Sequence, residues 1–141
     1  MPSWCEGVMK IRGKYDDVER FILNQIVKVK KMDSIGWYDI VGVGYVKGTY
    51  KGHVTQDYIQ IKDRPGGRAI TVFNYSEAFR IHANDWLKIA KEYNVDVKGV
   101  FAEGGSEFAQ QLLIENGSIV MNEELYYEDW DWDFPFPNLG G

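Results

Sequence analysis

Cysteine occurs once, at Cys5, and histidine twice, at His53 and His82. A disulfide framework is thereby excluded, a Cys/His zinc site lacks its ligands, and the lone thiol fits a reducing, cytoplasmic setting. No run of about 18 apolar residues occurs, and no apolar stretch follows the first basic residues, so neither membrane spanning nor secretion is signalled. The nucleophile elbow, H-E-x-x-H, Walker A, C-x-x-C and EF-hand spacings are all missing, which leaves the common motif-bearing enzymes without a foothold. Basic residues are missing from Glu103 to the end, where nine acids lie, while Met1 to Ala102 carries all sixteen Lys and Arg against twelve acids. The chain therefore divides into a front portion near +4 and an end near −9. The overall charge of −5 argues against nonspecific binding to nucleic acid, although the basic front keeps such binding open.

What the chain does contain is enough apolar matter for a core: 45% of its 141 residues are hydrophobic, which suits one domain spanning 1–141. Val8, Met9, Ile11 and Arg12 read as a short first strand ending at Gly13, with Trp4 and Cys5 tucked under the sheet. After a cap at Asp16 or Asp17, Val18, Phe21, Ile22, Gln25, Ile26 and Val29 recur at three- and four-residue spacing, which predicts a helix over 15–31. Lys28, Lys30 and Lys31 then fall in its last turns, where the helix dipole favours cations. From Gly36 to Gly67 glycine alternates with Trp37, Tyr38, Ile40, Val41, Tyr45 and Tyr50, a mixture that suits strands and turns and forms a β insertion over 36–67. Gly42-Val43-Gly44-Tyr45-Val46-Lys47-Gly48 lacks the spacing of a phosphate loop and no helix pattern follows it.

Strands are expected at Tyr58–Ile61 and Arg68–Tyr75, on either side of an Arg64-Pro65-Gly66-Gly67 turn. A second helix capped by Asn84 and anchored by Trp86 runs to about Asn94, followed by strands over Val95–Phe101, Phe108–Glu115 and Ser118–Leu125. Asn116-Gly117 joins the last two, because both residues tolerate the positive φ of a two-residue type I′ hairpin. The fold class is α+β, a mainly antiparallel sheet with two helices on one face.

The end of the chain, 126–141, is an acidic aromatic segment whose stretch from Tyr126 to Pro137 holds four acids and six aromatics. Written as a strand, Trp130, Trp132, Phe134 and Phe136 share one face while Tyr127, Asp129, Asp131 and Asp133 share the other. That parity predicts an ordered strand with aromatics turned inward and acids outward. Tyr127, Asp129, Trp130, Asp131, Trp132 and Asp133 are accordingly the candidate partner-binding residues, aromatics supplying anchors and carboxylates steering a basic protein. Lys28, Lys30, Lys31, Arg64 and Arg68, with Tyr45 or Tyr50 stacking on bases, form the alternative, a direct nucleic-acid site. His53, His82 and Cys5 read as structural residues. Asp129, Asp131 and Asp133 lack the EF-hand glycine and terminal glutamate, so no metal and no cofactor is expected.

The opening Met1-Pro2-Ser3-Trp4-Cys5-Glu6 and the helix start Asp16-Asp17-Val18-Glu19-Arg20-Phe21-Ile22 resemble the M-P-N-W-C-x-N beginning of the YubB-like proteins of plasmids and phages. The likeness resumes at Ala83-Asn84-Asp85-Trp86, and again from Glu103-Gly104-Gly105-Ser106-Glu107-Phe108-Ala109 to the Asn116-Gly117 hairpin. Ser3 stands for the usual Asn, Gly7 for the second, and Asn84 and Lys88 replace a Thr and a Pro. The resemblance implies a ferredoxin-like domain, here enlarged by the glycine-rich insertion, and a mobile-element origin, with no catalytic residues to carry over. The function expected is non-enzymatic protein binding, acting on a basic host or phage protein and disarming a nucleic-acid-binding machine.

Overall fold

A computed structural model describes residues 3–141; Met1 and Pro2 of the opening motif lie outside the described residues. The centre is β1 (Trp4–Lys14), longer than its apolar run because Trp4 and Cys5 are already part of it. Its odd-numbered residues Cys5, Met9 and Ile11 are fully buried, the period-2 signature of a strand with one face in the core. Antiparallel neighbours flank it: β6 (Arg68–Ala78) pairs Met9 with Phe73, and β7 (Asp96–Glu103) pairs Ile11 with Val97.

Beyond β6 come β5 (Tyr58–Arg64), β3 (Trp37–Ile40) and β2 (Val29–Lys31), with the two-residue β4 (His53–Val54) pairing β6. Beyond β7 come β8 (Phe108–Glu115) and β9 (Ser118–Tyr126), giving nine strands in the order β2-β3-β5-β6-β1-β7-β8-β9 with β4 off that path. Asn116 and Gly117 adopt φ of 52° and 72° between the paired Glu115 and Ser118, so the hairpin forms where Asn-Gly places it.

Two helices cover one face. In α1 (Tyr15–Gln25) Val18, Phe21, Ile22 and Gln25 face inward, and in α2 (Ala83–Tyr93) Trp86, Ile89, Ala90 and Tyr93 do so, each set at helical spacing. Phe21 sits where the layers meet, 6.1 Å from Trp86, 5.9 Å from Tyr93 and 6.3 Å from Phe73 between ring centres. Among the described residues no helix is long and apolar enough to cross a membrane.

Two expectations about helices change. α1 stops at Gln25 instead of Lys31: Ile26 is extended and bridges Val46, the Val27 amide donates to Tyr45, and Lys28 turns the chain with φ of 58° into β2. Ile26, Val27 and Val29 are β-branched and gain a ladder partner in the glycine-rich segment, which outweighs their helical periodicity. Lys28, Lys30 and Lys31 are therefore turn and strand residues, and the helix dipole does not explain them. The second helix starts one residue before Asn84, with His82 in the cap position, and ends where Asn94 takes φ of 55°.

Candidate functional site

β9 ends at Tyr126, and the segment after it does not continue the ladder. Asp129 caps a single turn, α3 (Trp130–Asp133), accepting from the Trp132 amide at 3.3 Å, while the Asp129 amide donates to Asp133 at 3.1 Å. This reciprocal capping, together with Pro135 and Pro137, which have no amide hydrogen to give a ladder, favours a turn over the expected strand. The strand parity is corrected with it. In a helical turn residues four apart share a face and residues two apart oppose each other, so Trp130 and Phe134 stack at 4.2 Å and 12° while Trp132 is thrown outward.

Trp130, 4% exposed, and Phe134 settle on Ala102 and Ala109, whose small side chains lie on the sheet face opposite α1 and α2. The Trp130 indole N–H donates to the Pro137 carbonyl at 3.2 Å. The end is tied back by the Gly140 amide donating to Glu6 at 3.3 Å and by paired bonds of 3.1 and 3.0 Å between Trp4 and Gly141. The result is a fixed, partly buried strap. Trp132 is 86% exposed on it, with Phe136 also exposed and Glu128, Asp129, Asp131 and Asp133 around them at the surface. Tyr127 is half-buried, at 5.9 Å from Trp130. The six candidate residues are thus brought together in one turn, but Trp130 and Tyr127 support it while Trp132 is presented.

The cations of the alternative site are not brought together. Lys31 on β2 pairs with Glu19 at 3.1 Å, and Arg68 approaches Asp96 at 3.8 Å. Lys31 aligns with Tyr38 and so with Ile59, whereas Arg64 lies five residues further along β5, about 17 Å of strand. Tyr45 and Tyr50 occupy another corner. Tyr45 lies 6.2 Å from His53, and Tyr50 stacks on Phe79 at 6.0 Å with His82 edge-on.

Sequence reasoning missed Glu77. It has no exposed surface, yet it ends the alternation of β6, and all four approaches to its carboxylate are filled. One oxygen accepts from the Tyr75 hydroxyl at 2.5 Å and the Trp86 indole N–H at 3.2 Å; the other accepts from the His82 amide at 2.7 Å and touches His82 Nδ1. His82 therefore does lie beside a carboxylate, as a general base requires. That carboxylate is spent on fastening the start of α2 to the core. Gln110 ties the same connection from the other side, exchanging bonds of 2.8 Å with both the amide and the carbonyl of Ile81. Burial first, then neighbouring Glu77 and Glu103, pushes the Cys5 thiol up to about 12, so it is no nucleophile at neutral pH. No group of three His, Cys, Asp or Glu residues among the described ones is placed to hold a metal ion.

Comparison with known protein families, with curated proteins and with solved structures finds no match.

Proposed function

We propose that this chain is a non-enzymatic binding module that engages a basic protein through its C-terminal strap. The observation that carries this is Trp132, an indole 86% exposed on a capped turn between two buried, stacked aromatics. Indole is costly to leave in water, and rigid aromatics in a charged surround are the usual anchors of interfaces. Asp131 and Glu128 lie beside it with no basic residue in the same segment, so the local field draws a cationic partner.

The inner strand order β5-β6-β1-β7, with α1 and α2 in the two crossovers, supports reading the frame as ferredoxin-like, with β2 to β4 as its insertion. The resemblance to YubB-like proteins points to a phage or plasmid origin and a cytoplasmic life. On that reading the basic partner is a host nucleic-acid-binding machine held inactive by the acidic strap. The alternative cation set, divided between two ends of the sheet, offers no comparable single surface.

Capture from host lysate with the tagged chain tests this. Trp132→Ala touches no packed residue and is expected to lose the partner about a hundredfold while melting unchanged. Glu128→Gln with Asp131→Asn is expected to slow association and weaken its salt dependence. Equal recovery of the same proteins by Trp132→Ala would show the strap to be the wrong surface.

A further inference from the structure

α1 and α2 cover only one face of the sheet; the strap covers the Ala102/Ala109 corner of the other, and its Phe134, Phe136 and Leu139 wall a hollow that reaches Val8, Lys10, Lys98 and Val100. Between β3 and β7 that second face is open. It carries Trp37, Tyr58 and Val72 beside Val8 and Val100, all exposed. Cations stand among them: Lys10 and Lys98 are direct cross-strand partners, and Lys62 lies two strands from Lys10, in register with Arg12 and so about 12 Å from Lys10 on the diagonal. None of these three lysines forms an ion pair among the described residues, unlike Arg12, which Asp96 and Glu115 hold at 2.9 and 3.3 Å. Like charges directly opposite each other destabilise a sheet, so the Lys10/Lys98 pair is kept against the interest of folding.

Two hollows lie on this face. One, of about 270 Å³, includes Lys10, Ile70 and Lys98 together with the Arg12, Asp96 and Glu115 cluster, and the other, of about 200 Å³, includes Trp37, Tyr58, Gln60 and Lys62. Val72 in the second is the cross-strand partner of Lys10 in the first.

We infer that this face binds single-stranded nucleic acid. Exposed indole and phenol rings at the β3–β5 side give bases a stacking platform, and the neighbouring Gln60 amide can meet base edges. Lys10 and Lys98 side by side, with Lys62 two residues out of their register on β5, neutralise phosphates. A flat sheet offers no helix or ribbon to enter a duplex groove, so unpaired strands are preferred. The strap, with its acids over the β7–β8 end of the same face, limits a polyanion to the part between β3 and β7. Phe134, Phe136 and Leu139 of the strap border Lys10 and Lys98, but the inference invokes none of the strap's residues, and the lysine and Trp37 variants below leave the strap unaltered.

The test is a fluorescence-anisotropy titration of the full chain with mixed-sequence single strands of about 12 nucleotides, as DNA and as RNA. With three phosphates neutralised, affinity is expected to fall about twentyfold between roughly 50 and 200 mM salt. Lys10→Ala with Lys98→Ala should flatten that dependence to about threefold, while melting at or above the parent temperature because the repulsion is gone. Trp37→Ala should weaken binding about fivefold or more with the salt dependence unchanged. No binding at low salt, or a duplex bound equally well, overturns the inference. So does loss of discrimination between the nucleic acid and polyglutamate, which would make the face a general polyanion surface. Unchanged binding by the lysine double variant, folded by circular dichroism, overturns it as well.

Discussion

Glu77 and Glu19 are both carboxylates under tyrosine hydroxyls, and burial separates what each does. Glu77 is enclosed, with Tyr75, Trp86 and two nitrogens of His82 as its donors. Removing it orphans the Tyr75 hydroxyl and the Trp86 indole N–H in a place water does not reach. Glu77→Ala is expected to cost about 3–5 kcal/mol in urea unfolding, the range for breaking a buried charged network, while His82→Ala, half-exposed, costs less. Glu19 is nearer water. The Tyr38 hydroxyl above all holds its carboxyl below the usual range; burial opposes it and Lys31 adds to it. Because its folded pKa is depressed, its contribution is present above about pH 4.3 and is lost as pH falls through the lower folded value. Glu19→Gln should therefore destabilise by about 1 kcal/mol at pH 7, discounted for partial exposure, and by nothing near pH 2. Equal destabilisation at both pH values would sink this account. Neither role is legible from sequence, since a Glu ending a strand and a Glu on a helix look alike until their donors arrive from elsewhere.

At the scale of elements, the strap is the part whose form turns on one spacing. Trp130, Trp132, Phe134 and Phe136 give an aromatic face if extended and a split set if helical, and Asp129 with two prolines selects the second. Trp130→Ala empties the space over Ala102 and Ala109 and should cost about 3 kcal/mol, in contrast to the neutral Trp132→Ala. Gly140 holds the far end. Its φ is 80°, and a Cβ there would stand 2.3 Å from the Ala102 carbonyl oxygen, which belongs to backbone and cannot yield. Gly140→Ala is expected to release the last residues, seen as faster amide exchange at Gly141 and Trp4 with the sheet intact. Unchanged exchange would contradict the close approach. The Asn116-Gly117 hairpin and the alternation in β1 could be read directly from local pattern. The end of α1 could not, because the partner that draws Ile26 and Val27 out of the helix lies twenty residues away at Tyr45 and Val46.

The whole molecule is a sheet with one face sealed by helices and the other left largely open, and the open face carries the acidic strap. The strap from Tyr127 to Gly141 holds four acids and no base, so its removal would take the chain from −5 to −1. A chain ending at Tyr126 keeps the entire α1/α2 core and should still unfold cooperatively, melting roughly 10 °C lower through loss of the small second cluster. It should also bind an apolar dye at the uncovered Ala102/Ala109 corner and fail to capture the proposed basic partner. A non-cooperative melt would mean that the strap belongs to the main core. The α+β class, most strand positions, the hairpin and the acidic end are legible along the chain, because hydrophobic period, turn chemistry and charge are local properties. Where α1 stops, which face the strap covers, which tryptophan is presented, how Glu77 is satisfied and that Lys10 lies beside Lys98 emerge with the folded molecule. Each of those depends on pairing between residues distant in the chain, and register, not composition, sets which side chains meet.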